Sequence, residues 1–230
     1  MRSLALALAL GACCALPRAA ALAAPAQAGP SLLVVGDSMA LGTGADTPAG
    51  GFAFQTFRKV RAADPGARIR SVAIGGATVA DALRLEMPRL GPLRGDVVIV
   101  EIGSNDVVRR TPAPAFAARF RALLARVRRV EPRAGLVVVG IPDVAISPLF
   151  AGGDRAAIHR AALADARAVR AAAASAGARY VDLFAISDRL SKDTGRYLSA
   201  DQFHPSTDGY TIIADAVYPA VAAALRQPRS

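Results

Sequence analysis

The chain has 230 residues and a formal net charge of +10, from 28 Lys and Arg against 18 Asp and Glu. That length admits one sizeable domain, and a hydrophobic content of 53% is ample for a full core. All basic residues except Lys59 and Lys192 are arginines, scattered over helical segments without interleaved aromatics, so no nucleic-acid partner is expected.

The first 28 residues read as a leader. Met1-Arg2-Ser3 carries one positive charge, Leu4–Leu10 is apolar, and small residues follow. This is the pattern of a secretory signal, too short for an ordinary membrane span. Leu10-Gly11-Ala12-Cys13 resembles a bacterial lipobox, and Ala21-Leu22-Ala23 and Ala26-Gln27-Ala28 offer competing cleavage sites. The leader stays Ala-rich well past Cys13, which favours plain secretion. The expectation is an exported protein, periplasmic or extracellular, that meets a membrane only if lipidated at Cys13. Cys13 and Cys14 are the only cysteines, so a body over residues 29–230 has neither a disulfide nor a Cys-based metal site.

In the body, Leu32-Leu33-Val34-Val35 is apolar without alternation, as suits a strand covered on both faces. It runs into Gly36-Asp37-Ser38, where Ser38 would sit at the strand's carboxyl end. Met39–Gly51 reads as a loop. Its Gly42-Thr43-Gly44 lacks the lysine of a phosphate-binding loop and the rest of a dinucleotide fingerprint. A helix over Phe52–Ala62 stops at Asp64-Pro65-Gly66. Arg68–Ile74 alternates and suits an edge strand. Gly75-Gly76-Ala77-Thr78 turns into a helix over Val79–Leu90, capped by Thr78.

Asp96–Ile102 is a second central strand, apolar over Val97-Val98-Ile99-Val100, running into Gly103-Ser104-Asn105-Asp106. The helix after Thr111-Pro112 presents Phe116, Phe120, Leu123, Leu124, Val127 and Val130 as a core stripe. Gly135–Gly140 is the fourth strand. Val144–Gly153 is a loop, followed by an Ala-rich helix over Asp154–Ala176. His159, on that helix, reads as a surface or half-buried histidine. Arg179–Leu183 is the fifth strand, and Phe184–Ala200 is loop-like. Asp201-Gln202-Phe203-His204-Pro205 precedes a last helix over Asp208–Leu225, which Pro219 should kink or shorten. Five strands, each followed by a crossover, predict one three-layer α/β/α sandwich on a five-stranded parallel sheet. The turns at Ser38, Gly76 and Asn105 all follow strands and would meet at one rim.

A serine hydroxyl needs a base to become a nucleophile. His204 lies three residues after Asp201, a spacing that can set the carboxylate against one ring nitrogen and free the other to face Ser38. An oxyanion needs donors, and the candidates are the Ser38 N–H, the Gly76 N–H and the Asn105 side-chain amide.

In this order, Gly36-Asp37-Ser38, Gly76, Gly103-Ser104-Asn105-Asp106 and Asp201-Gln202-Phe203-His204-Pro205 resemble the blocks of the SGNH (GDSL) hydrolase superfamily, over Val34 to about Tyr210. One departure is Ser71, where that family often has Asn. The resemblance implies a flavodoxin-like fold with Ser38 as nucleophile, His204 as base, Asp201 as its orienter, and Ser38, Gly76 and Asn105 around the oxyanion. Asp37 would brace the turn and is not the triad acid. It also implies no metal or organic cofactor; a monomer is expected. An α/β-hydrolase is disfavoured, because Gly36-Asp37-Ser38-Met39-Ala40 lacks the second glycine of that family's elbow.

The expected activity is hydrolysis of small to medium acyl esters through an acyl-enzyme. Met39, Leu41, Val107, Val108, Ile146, Leu149 and Phe150 would line the mouth, with Arg109 and Arg110 nearby. A carbohydrate O-deacetylase is the main alternative, for which the substrate is a glycan ester. A non-catalytic binding module on the same fold is a third reading, opposed by the intact Ser, Gly, Asn, Asp and His set.

Overall fold

The computed structural model describes residues 29–152 and 154–227. The leader reading, with Cys13 and its lipobox, lies outside them. In chain order the elements are β1 (Ser31–Gly36), α1 (Ser38–Leu41), α2 (Phe52–Ala63), β2 (Arg68–Ser71), α3 (Val79–Asp81), α4 (Met87–Leu90), β3 (Val97–Glu101), α5 (Ser104–Val108), α6 (Ala113–Val130), β4 (Gly135–Val139), α7 (Arg155–Ser175), β5 (Arg179–Val181), α8 (Leu183–Leu190), α9 (Thr194–Tyr197) and α10 (Thr207–Leu225).

The strands form one parallel sheet in the order β2-β1-β3-β4-β5. The chain moves from β1 outward to β2, then crosses back to β3 and continues the other way. That reversal opens a crevice beyond the carboxyl ends of β1 and β3, where open α/β sheets hold their sites. The segments after these two strands are Asp37-Ser38 and Gly103–Asn105.

The alternating pleat divides the core between the two faces. Leu33, Val35, Val98, Val100, Leu136 and Val138 pack toward α6 and α7, against Phe116, Phe120 and Leu123. Leu32, Val34, Val97, Ile99, Val137 and Val139 pack toward α2 and α10, against Phe52, Tyr210 and Val217. β2 keeps Arg68, Arg70 and Ser71 exposed, as an edge strand does.

Several local expectations are corrected. Ser38–Leu41 is a helical turn, not loop, because the Asp37 side chain accepts from the Met39 N–H and Gly42 closes the turn in the left-handed region. Phe184–Ala200 is mostly helical in α8 and α9, whose first turns are capped by Asp182 and Asp193. The helix from Val79 to Leu90 is interrupted by a π turn at Ala82–Glu86, where the Met87 N–H reaches back to Ala82 O. α10 runs through Pro219 to Leu225 without a break. Pro219 and Asp215, whose carbonyl loses its donor, both lie on the solvent side, where water can replace the lost bond.

Candidate active site

β1 delivers Ser38 to the crevice by a sharp departure from the sheet. A Cβ on Gly36 would stand 2.2 Å from Glu101 O and 2.7 Å from the Ala40 Cβ, so only glycine lets α1 start this close to β3. Asp37 is fully buried beneath the turn. Its Oδ1 accepts from the Met39 N–H at 3.0 Å and its Oδ2 from Asn105 Nδ2 at 3.1 Å. Burial pushes its carboxyl up to about 6, against the pull of those bonds. It braces the turn and has no contact with an imidazole ring nitrogen.

His204 reaches the same place from a short turn closed by the Ser199 N–H on His204 O at 2.8 Å. Gln202 takes a left-handed φ of 58° there, which brings Asp201 back under the histidine. Asp201 Oδ2 lies 2.6 Å from His204 Nδ1, and His204 Nε2 lies 2.9 Å from Ser38 Oγ. Asp201 Oδ1 accepts from Ser199 Oγ, the Phe203 N–H and the His204 N–H at 2.8, 2.9 and 2.9 Å. Partial burial opposes the charge, but the bonds from the His204 ring, the two N–H groups and Ser199 outweigh it and hold the carboxyl well below the usual range. An ionised Asp201 makes His204 Nδ1 the donor and leaves Nε2 as acceptor for the Ser38 proton. The Ser147 hydroxyl pins the turn from outside by donating to Gln202 O at 2.6 Å.

Gly76 occupies the third position of a turn closed by the Ala77 N–H on Ile74 O at 3.1 Å, and its φ of 75° is the conformation that position favours in a type II turn. Neither its N–H nor that of Ser38 has an acceptor among the described residues. Asn105, on α5, lies beside both. Its two amide hydrogens are engaged, one with Asp37 Oδ2 and one with Ala77 O, each at 3.1 Å. Its resting role is therefore to tie the Ser38 turn to the Gly76 turn.

Two groups at this site carry no sequence signal of their own. Glu86, at the end of the π turn, is fully buried, and its Oε2 accepts from the Gly36 N–H at 2.9 Å. Burial pushes its carboxyl up to about 8, and the buried Glu101 on β3 is also raised well above its ordinary value by burial. Arg109 donates from Nη2 to Gly76 O at 2.9 Å. Of the mouth residues expected, Met39 and Val107 are core residues, only 5% and 1% exposed. Leu41, Val108 and Leu149 are exposed, and Phe150 packs edge-on against Phe203. His159 is engaged away from Ser38, with Nδ1 2.6 Å from Asp143 Oδ2.

A serine hydrogen-bonded to a carboxylate-oriented histidine, at the switch point of a doubly wound sheet, is the arrangement of a hydrolase that works through an activated hydroxyl. Residues 34–212 match the GDSL-like lipase/acylhydrolase family, and the chain belongs to it. It is 30% identical over 212 residues to the GDSL-like esterase Rv1075c of Mycobacterium tuberculosis, covering 85% of this chain but 63% of that relative. The fold is also that of TesA, with a TM-score of 0.65 at 25% identity over 84% of this chain and 99% of TesA. A catalytic mutant of Axe2, an acetylxylan esterase from Geobacillus stearothermophilus, shares the fold with a TM-score of 0.65 at 23% identity, over 84% of this chain and 94% of that one.

Proposed function

We propose that the protein is a carboxylic ester hydrolase in which Ser38 is the nucleophile, His204 the general base and Asp201 the group that orients it. The observation that carries this reading is the continuous chain from Asp201 through His204 to Ser38 Oγ, at 2.6 and 2.9 Å. His204 Nε2 takes the hydroxyl proton as Ser38 Oγ bonds to the ester carbonyl carbon. The tetrahedral oxyanion is held by the N–H groups of Ser38 and Gly76. Asn105 joins them by turning one amide hydrogen from its resting partner to the new, stronger charge. His204 then protonates the departing alcohol, and a water activated by the same nitrogen releases the acid.

The rim favours short acyl groups. Cβ atoms placed on Gly75 and Gly76 would meet only Leu41 Cδ1 at 3.9 Å and Arg109 Nη2 at 3.8 Å. The space over the oxyanion turn is thus open and shallow. That openness also favours the second reading, removal of O-acetyl groups from a glycan, the chemistry of the acetylxylan esterase named above. Export of the mature chain, residues 29–230, belongs to the same proposal, and the N-terminal sequence of the secreted protein tests it.

The test of function is a series of p-nitrophenyl esters of increasing chain length beside acetylated xylan, each with wild type and Ser38→Ala. Activity confined to short esters, and lost in Ser38→Ala, is the expected result. Undiminished hydrolysis by Ser38→Ala sinks the assignment. Absence of both turnover and fluorophosphonate labelling of Ser38 would favour the non-catalytic module.

A further inference from the structure

A broad depression on the described surface is separate from the Ser38 rim. It encloses about 830 Å³ and lies between the first turns of α7 and the stretch from α8 to α9. Arg155, His159 and Arg160 line it from α7, Ser191 and Thr194 line it from the opposite side, and Asp143 forms its floor with Ile146. Asp143 and Ile146 also border the small apolar space behind His204, so one wall separates the two sites.

The charges in this cleft are unbalanced. The Arg155 and Arg160 side chains make no hydrogen bond or ion pair with any described residue, whereas Arg110, just outside, is paired with Asp154 at 2.9 Å. The cleft's carboxylate, Asp143, is already committed. Its Oδ2 holds His159 Nδ1 at 2.6 Å, and its Oδ1 accepts from the Ala145 N–H at 3.1 Å. The His159 ring is further fixed by Phe184, at a centroid distance of 5.6 Å. With Nδ1 donating to Asp143, Nε2 is left as an acceptor for a ligand hydroxyl.

The Asp143–His159 pair resembles Asp201–His204 in geometry but lacks a nucleophile. Ser191 Oγ donates to Asp188 O at 3.0 Å, and no described hydroxyl stands within hydrogen-bond reach of His159 Nε2. The pair therefore serves binding and not bond-breaking. A guanidinium offers forked donors and no acceptor, which matches a carboxylate or phosphate and not a neutral polyol.

We infer that the cleft formed by Arg155, His159 and Arg160 is an anion-binding site, separate from the Ser38 centre, for a ligand group bearing a carboxylate or phosphate. The two guanidiniums clamp the oxyanion, the held imidazole accepts from a hydroxyl of the ligand, and the Thr194 hydroxyl adds to the polar wall.

The test is calorimetric titration of the full chain with inorganic phosphate and, separately, with glucuronate, at constant ionic strength. It reads binding and not turnover, so it is independent of the esterase reading. Saturable binding of at least one, with Kd below about 10 mM, is expected, and the one that binds identifies the source. The double variant Arg155→Ala/Arg160→Ala should weaken it at least ~10-fold while keeping a cooperative thermal transition. Arg129→Ala/Arg133→Ala removes the same charge from exposed arginines that do not line the cleft, and should bind as wild type does. His159→Gln keeps a polar group and should fall between the two. No saturation with either anion, or equal loss in both double variants, overturns the inference, since the latter would mean that only the overall positive charge of the chain was being read.

Discussion

Asn105 on α5 and Arg109, which caps its carboxyl end, stand four residues apart and hold two successive carbonyls of the same turn. Arg109 Nη2 donates to Gly76 O at 2.9 Å, and Asn105 Nδ2 donates to Ala77 O at 3.1 Å. With the Ala77 N–H bound to Ile74 O, the peptide groups on the carboxyl side of Gly76 are fixed on three sides. The Gly76 N–H is thereby aimed, and a preorganised donor is what an oxyanion site requires.

Arg109 is therefore a positioning residue whose loss should show in turnover more than in binding. Its bond is at the surface, where a net value of about 0.5–1.5 kcal/mol applies. Arg109→Ala should lower kcat for p-nitrophenyl acetate by roughly 2- to 10-fold, with KM nearly unchanged. Arg109→Lys, which can still reach the carbonyl, should recover part of the loss. A rise in KM at constant kcat would instead mean that Arg109 touches the substrate.

Asn105 should show two effects in one variant. Asn105→Ala removes an oxyanion donor, costing about 10²–10³ in kcat. It also strips Asp37 Oδ2 and Ala77 O of a partner inside the fold, costing roughly 1–3 kcal/mol of stability. Chemical denaturation and steady-state kinetics on the same preparation separate the two. Full stability with impaired kcat would show that the resting bonds carry no weight.

Asp201 divides its two oxygens between different duties, and that division makes Asp201→Asn informative. Oδ1 serves three donors of the 199–204 turn and Oδ2 serves His204. An asparagine oriented to keep the turn would present its NH₂ to His204 Nδ1, forcing the wrong tautomer. The expected loss in kcat is about 10³–10⁴, beside on the order of 10⁶ for Ser38→Ala. Retention of near-wild-type kcat by Asp201→Asn would mean that the histidine is oriented by some other group.

The sheet is legible in the sequence because β1 and β3 each carry four consecutive apolar residues, Leu32–Val35 and Val97–Val100, shortly before glycine-marked turns, and a run covered on both faces has few other interpretations. The Asp201–His204 pair was legible because its spacing is local. What escaped notice depends on long-range placement. Glu86 looks like any acid on a helix until the π turn faces it to Gly36, 50 residues away. Arg109 looks like any basic residue at the mouth because nothing local ties it to Gly76, 33 residues away. α8 and α9 were missed because capping by Asp182 and Asp193, and not an extended apolar stripe, starts them. Pro219 misled because a helix interior normally loses a needed bond, whereas here the orphaned carbonyl faces solvent.

Glu86 gives the sharpest prediction about pH. Its carboxyl is raised from 4.5 to about 8 by burial, with the charge of Asp37 adding to the effect, so it stays protonated in the folded state through neutral pH. The unfolded chain ionises it from about 4.5 upward, so over that window the folded state holds the extra proton. Stability should then fall as pH rises from about 4.5 to about 8 and level off above, by up to roughly 5 kcal/mol from this group alone. Glu86→Gln copies the neutral form. Its carbonyl can accept from the Gly36 N–H, and its NH₂ takes the place of Oε1, which has no partner among the described residues. The variant should match wild type near pH 5 and exceed it progressively toward pH 9. Urea unfolding at pH 5, 7 and 9 measures the difference. A gap that is constant with pH, or one that favours wild type at pH 9, would show that Glu86 is ionised in the folded protein and that its charge is needed at the turn that carries Ser38.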